Sequence, residues 1–166
     1  MIVEGMEKSD SIERIMSCMF MESACAAVFH LLAMNFPRAS DLWNQIAMDE
    51  EAHAETIAKG MNFKDPENFT RFEVPSRLQH VRRTTAYAEE FRKMLVKDVV
   101  SLRRSFDMVI SLLQMKNESY LKDLIAEEED LRLKKVFQRL CDIDGANYAL
   151  VTAAMSRYAP VEEAGS

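Results

Sequence analysis

Residues 40–57, with the sequence SDLWNQIAMDEEAHAETI, decide the fold class and contain the candidate site. Six positions recur every three or four residues, which is the period of one buried helix face: Trp43, Ile46, Ala47, Glu50, His53 and Ile57. Ser40 is a suitable N-cap, so we predict a helix over about residues 40–59. Glu50 and His53 lie three positions apart, so their carboxylate and imidazole project from nearly the same face and can hold one metal ion together.

An earlier apolar stripe predicts a first helix over about residues 10–35. The stripe contains Ile15, Met19, Ala26, Phe29 and Ala33 at helical spacing. Glu22 interrupts it, and a buried carboxylate needs a partner because leaving it unpaired away from water is expensive. Pro37 ends this helix, and the short link to Ser40 predicts that the two helices pack as an antiparallel hairpin.

Three further stripes at helical spacing predict helices over about residues 76–97, 101–126 and 131–157. The second of these stripes runs through Phe106, Ile110, Leu113 and Asn117. Residues 61–75 form the one loop-like stretch, which Pro66 and Pro75 mark. We therefore expect an all-α protein built from two antiparallel hairpins, with a long crossover that contains an additional helix. At 166 residues the chain fits one domain, spanning residues 1–166.

Composition and charge exclude several function classes. The net charge of −6 and the pI near 5.2 argue against nucleic-acid binding, because no basic stripe dominates the sequence. We see no apolar run of the roughly 18 residues that a membrane span requires, and we expect no membrane association. The three cysteines, Cys18, Cys25 and Cys141, form no CxxC pair, which favours reduced thiols and a cytoplasmic location.

The opening hairpin resembles a known family. The resemblance is carried by Glu22, Phe29, Ala33, Phe36-Pro37, Leu42-Trp43, Ile46-Ala47 and Glu50-Glu51-Ala52-His53-Ala54. Together these residues look like the first half of a rubrerythrin-like member of the ferritin-like superfamily. The separation of Glu22 and Glu50, 50 − 22 = 28 residues, suits a hairpin that brings both carboxylates to one depth. The resemblance covers roughly a third of the chain and is weaker beyond the hairpin.

The resemblance implies a ferritin-like four-helix bundle that binds iron or manganese. Glu22, Glu50 and His53 would be the metal ligands, with Asp144 as a fourth. Such a protein would be an oxidoreductase that handles peroxide or dioxygen, or a protein that handles iron. The chain contains no rubredoxin-like cysteine module, so a redox-active form would need a separate electron donor. A homodimer is a further expectation of this kind.

The second half departs from the family pattern at the ligand positions. Asp144 and Asn147 stand where the family has glutamate and histidine, and Leu113 lies near the place of another ligand glutamate. Leucine cannot bind a metal, and a second ion would need a bridging carboxylate. We therefore expect an incomplete di-metal site.

Two other interpretations remain open at the level of sequence. In the first, the chain is a diverged metal-free bundle that acts as a structural or interaction module, in which Glu22 hydrogen-bonds to His53, Asn147 or Tyr148. In the second, two chains meet so that each contributes Glu22, Glu50 and His53 to a shared site. The cysteines are expected to be small core side chains without a ligand role.

Overall fold

The computed structural model describes residues 2–61, 75–118, 121–127 and 131–160, and these ranges contain helices and no strand. The helices are α1 (Ile2–Asn35), α2 (Ser40–Met61), α3 (Pro75–Val96), α4 (Leu102–Asn117), α5 (Leu121–Glu127) and α6 (Leu131–Tyr158). One turn of 3-10 helix, Pro37–Ala39, joins α1 to α2. The prediction of an all-α protein is confirmed.

The observed helix bounds differ from the predicted ones mainly at α1 and α4. The first helix begins at Ile2, eight residues before the predicted start near residue 10. The predicted helix over residues 101–126 is two helices, because α4 ends at Asn117 and Glu118 is a turn residue. Most of the predicted loop lies outside the described residues, as does the end of the C-terminal tail.

Local chemistry fixes the corner between α3 and α4. Asp98 has a φ of 51°, in the left-handed region, and the Val99 amide donates to the Met94 carbonyl at 3.3 Å. This is a common way for a helix to end when the chain must turn sharply. Ser101 then caps α4, since its side chain accepts a hydrogen bond from the Arg104 amide at 3.2 Å.

Packing joins the helices into two groups. Helix α1 packs against α2 and α3, whereas α6 packs against α4 and α5; contacts of α2 with α6 and of α3 with α4 connect the groups. An aromatic cluster spans them, because the Trp43 ring lies 6.2 Å from Phe29 and 4.8 Å from Phe106. All three rings are fully buried, so this cluster supplies a large part of the apolar core.

One segment of α1 is unusually apolar. The 20 residues Met16–Asn35 are long and apolar enough to cross a membrane by length and composition alone, which our sequence expectation overlooked. The segment nevertheless contains Glu22, which is completely buried, and one face of the helix packs against α2 and α3. A core helix of a globular protein is often equally long and apolar, and the buried face of α1 resembles such a helix.

Candidate functional site: a buried charge cluster

Five ionisable side chains from four helices meet in the interior. They are Glu22 from α1, Glu50 and His53 from α2, Lys116 from α4 and Asp144 from α6, and each is at most 1% exposed. We call these five residues the charge cluster. Four of them are the residues predicted from sequence as metal ligands, and the structure brings all four together. The fifth, Lys116, was not predicted.

Helical spacing explains how each residue reaches the interior. Glu22 follows Cys18 and precedes Cys25 on the buried face of α1. On α6, Asp144 lies one turn after Leu140 and one turn before Asn147, and all three are buried. Lys116 continues the buried face of α4, which is formed by Phe106, Val109, Leu113 and Lys116.

The Lys116 ammonium lies at the centre of the cluster. Its Nζ is 2.5 Å from Glu50 Oε2, 2.7 Å from Asp144 Oδ1 and 2.8 Å from Glu22 Oε2. The His53 Nδ1 atom is also close, at 3.2 Å. An ammonium group has three N–H donors and no acceptor. Four polar atoms, one oxygen from each of three carboxyl groups and His53 Nδ1, therefore surround three N–H donors.

The His53 imidazole contacts the ammonium and lies near two of the carboxyl groups. Its Nδ1 atom contacts Lys116 Nζ, and its Nε2 atom has no hydrogen-bond partner among the described residues. His53 Nδ1 also lies 3.4 Å from Asp144 Oδ1 and 3.7 Å from Glu22 Oε2.

The carboxylates keep Lys116 charged. Burial alone lowers the pKa of a lysine because it penalises the ammonium form. Here the attraction of Glu22, Glu50 and Asp144 outweighs burial, so the pKa of Lys116 is raised well above its ordinary value. The cluster is therefore built around a permanent internal cation.

The pKa values of the two glutamates are shifted in opposite directions. Burial raises the pKa of Glu22, but Lys116, His53 and a hydrogen bond with Glu50 together lower it below the ordinary range. Burial raises the pKa of Glu50, and Lys116 opposes this increase. The negative charges of Glu22 and Asp144 raise the pKa further. The pKa of Glu50 is therefore well above its ordinary value. A proton shared by the two groups is therefore held by Glu50, which donates a hydrogen bond to Glu22.

The pKa of Asp144 is raised for similar reasons. Burial is the main cause, Lys116 opposes it, and the charge on Glu22 adds to it. Three carboxyl groups thus share one ammonium, and burial together with the negative charge of Glu22 raises the pKa values of both Glu50 and Asp144. A like-charged group of carboxylates cannot remain fully ionised away from water.

The donor atoms suit a metal ion, but the space that an ion would need is taken. Ligand atoms of Glu22, Glu50 and His53 all lie within 4.8 Å of one another, as in a site for a single ion. An ion bound to them would lie roughly 2.0–2.2 Å from each donor atom. Lys116 Nζ already occupies the point between these atoms, and a dication there would contact a positive charge. With Lys116 in place, the residues do not fit a metal.

The positions of a second metal ion also lack ligands. Leu113 is 1% exposed and presents only an apolar side chain. Asn147 is buried, and its Nδ2 has no hydrogen-bond partner among the described residues. Leu113 therefore offers no metal ligand, and Asn147 offers only a neutral amide.

The sequence contained a signal for Lys116 that we misread. The predicted stripe of α4 ran through Phe106, Ile110, Leu113 and Asn117, whereas Ile110 and Asn117 are only half-buried. A stripe through Phe106, Val109 and Leu113 leads instead to Lys116. Lysine is almost never fully buried without a partner, so a lysine on this stripe indicates a buried carboxylate opposite it.

The cysteines near the cluster are protonated thiols. Burial and then the nearby Glu22 raise the pKa of Cys18 to about 12. Burial and the charge on Glu50 raise the pKa of Cys25 well above its ordinary value. Because the thiolate is the reactive and ligating form, these side chains act as small apolar groups.

The described fold and site define an all-α protein whose helices enclose a lysine–carboxylate–histidine cluster. No family model, no curated protein and no solved structure matches the chain.

Proposed function

We propose that the chain is a ferritin-like four-helix bundle that works without a metal, as a structural or interaction module. The Lys116 ammonium takes the place of the ion, and its contacts with all four predicted ligands carry this proposal. The tethered cation offsets part of the negative charge of the acidic interior, so no metal has to be acquired for folding.

The arrangement of the helices supports a ferritin-like layout. The Glu-x-x-His pair of α2 and the single glutamate of α1 face inward at one depth, as the resemblance implies. Helices α4 and α6 supply the other two sides of the cluster through Lys116 and Asp144. Helix α3 lies between the two hairpins in chain order, which is the place of the predicted crossover helix.

The charge cluster gives the bundle specificity. Removing one partner from a buried ionic group typically costs about 3–5 kcal/mol, since the remaining charge has no compensation. A helix pairing that separated Lys116 from the three carboxylates would carry this cost. The cluster thereby favours one register of the four helices, in the way that single polar core residues fix the register of coiled coils.

Metal analysis tests this proposal directly. The protein is purified without chelator, loaded with Fe(II) or Mn(II) and measured for metal per chain. We expect far less than one ion per chain in the cluster. Because His30 Nε2 contacts Glu51 at 2.7 Å on the surface, the His30→Ala variant is the control for weak surface binding. One tightly bound ion per chain that persists in that control would contradict the proposal.

A second candidate function is a metal-binding, rubrerythrin-like oxidoreductase or iron-handling protein. The spacing of Glu22, Glu50 and His53 favours it, because their ligand atoms can reach one ion. Iron or manganese would be held by these residues and Asp144, and a separate protein would supply electrons. This function requires the Lys116 ammonium to leave the cluster. A stoichiometric metal that is lost in Glu50→Ala would support it.

For an interaction module, a second copy of the chain is the partner that we propose. Phe20 and Met34 on α1 are 60% and 73% exposed and lie two heptads apart, so they share one face. Met48 on α2 is 61% exposed, and α2 packs against α1. Sedimentation equilibrium tests this: the wild type should dimerise and Met34→Lys should weaken the dimer. A wild type that is monomeric at high concentration would contradict it.

A further inference from the structure

We propose that the charge cluster is a divalent-cation site that Lys116 keeps closed, and that removing this ammonium lets one ion bind. The inference rests on the proposed metal-free function, because it assigns to Lys116 the exclusion of the ion. The ligands would be Glu22, Glu50, His53 and Asp144, and the ion would bind where Nζ now lies.

The donor set defines the class of ion. Three carboxylates and one imidazole suit borderline and hard divalent ions of the first transition row, such as Mn(II), Fe(II), Co(II) and Zn(II). A softer ion prefers thiolate ligands, and none of the four proposed ligands is a cysteine. The site should therefore prefer these ions to Cu(I).

The geometry of the ammonium shows that the donors already point at one place. Nζ lies 2.5–2.8 Å from one oxygen of each carboxylate. A divalent ion would bind at roughly 2.0–2.2 Å, so each carboxylate oxygen needs to move by less than about 1 Å. His53 Nδ1 lies 3.2 Å from the same point and would have to move by about 1 Å.

A second observation points to a ligand at this position. Asp144 is 1% exposed, and its Oδ2 has no hydrogen-bond partner among the described residues. This oxygen can become a second donor of the same carboxylate once a dication replaces the ammonium. The dication also offsets the three carboxyl groups better than a single positive charge does.

The substitution that tests the inference must remove the bulk of the Lys116 side chain as well as its positive charge. Lys116→Ala removes the long stem, leaving room for the ion and for water molecules that complete its coordination. The matched control is Lys93→Ala, because Lys93 is an exposed lysine that pairs with Glu90 at 2.6 Å on the surface. It removes a paired lysine without touching the cluster.

Cobalt is the probe, because protein-bound Co(II) has a visible spectrum that reports its ligands. We expect Lys116→Ala to bind about one Co(II) per chain and Lys93→Ala to bind none. Adding His53→Ala to Lys116→Ala should weaken cobalt binding by at least about tenfold and change the spectrum, since one ligand is lost.

Failure of this inference can be told apart from failure of the proposed function. If folded Lys116→Ala binds no cobalt while the wild type is also empty, the inference is wrong and the metal-free function stands. If the wild type itself binds one ion in the cluster, the proposed function is wrong.

A further measurement is needed if Lys116→Ala does not fold without a metal ion. Refolding of Lys116→Ala only in the presence of Co(II) would support the inference, because the ion then replaces the missing charge. If Lys116→Ala does not fold under either condition, the double variant Lys116→Ala, Asp144→Asn is titrated, since it has one acidic group fewer and keeps Glu22, Glu50 and His53. Absence of cobalt binding in that variant as well would overturn the inference.

Discussion

Lys116 Nζ lies 2.7 Å from Asp144 Oδ1, and this contact joins α4 to α6 inside the protein. The same ammonium contacts Glu22 and Glu50 from the opening hairpin. One side chain thus connects all four helices that surround the cluster. Lys116 is therefore the central residue of the cluster, although the sequence analysis did not select it.

Replacing Lys116 by methionine should strongly destabilise the protein. Lys116→Met keeps most of the buried stem and removes the charge, so the three carboxyl groups lose their common partner. We expect the free energy of unfolding to fall by about 3–5 kcal/mol, measured by urea denaturation with metal chelated. The exposed Lys93→Met is the matched control and should change it by less than about 0.5 kcal/mol. A loss below about 1 kcal/mol for Lys116→Met would mean that the ion cluster is not important for stability.

The two glutamates should respond differently to the same neutral substitution. Glu22 is ionised, so Glu22→Gln loses a charge-assisted hydrogen bond to Lys116 and should cost about 1.5–3 kcal/mol. Glu50 holds a proton more tightly than Glu22 does, since its pKa is raised well above the ordinary value. Glu50→Gln keeps a neutral donor and should therefore cost less than Glu22→Gln. The two variants are compared by urea denaturation at pH 7, and equal losses would refute the assigned proton positions.

The raised pKa of Glu50 also predicts a pH dependence. A carboxyl group whose folded pKa is raised binds more protons in the folded state than in the unfolded state, so its contribution to stability decreases as pH rises above the unfolded pKa of about 4.3. Glutamine has no such titration. The wild type should therefore gain stability relative to Glu50→Gln as pH falls from 7 towards about 4.5. Denaturation curves of both proteins at several pH values measure this difference, and a constant difference would contradict the prediction.

Gly145 offers a stabilising substitution beside the cluster. It lies within α6, it is exposed, and a Cβ atom built on it meets nothing within 4 Å. Glycine inside a helix costs about 0.5–1 kcal/mol relative to alanine, because it loses more backbone freedom on folding. Gly145→Ala should raise the free energy of unfolding by about that amount in thermal or urea denaturation. A decrease in the free energy of unfolding would contradict this prediction, because no described atom lies within 4 Å of the added Cβ atom.

The sequence predicted much of the opening hairpin correctly, and the reason is its strong helical period. The regular stripes of α1 and α2 placed Glu22, Glu50 and His53 on facing buried surfaces, where the structure has them. Asp144 was also assigned to the same interior position. These residues interrupt apolar stripes, which makes buried polar side chains visible in a sequence.

The second half was harder because α4 is short and its buried face is broad. Seven of its residues are buried, including neighbours in sequence such as Leu112 and Leu113, so more than one stripe can be drawn through it. The stripe that we chose led to Asn117 and missed Lys116. The end of α4 was missed as well, since residues 101–126 contain no glycine or proline to mark it.

The most direct test of the central claim is an anomalous difference map from a wild-type crystal soaked in Mn(II). We expect continuous density for the Lys116 side chain up to Nζ at the centre of the cluster, with no manganese peak there. A manganese peak between Glu22, Glu50 and His53, with the Lys116 side chain turned away, would contradict the claim that this ammonium replaces the metal.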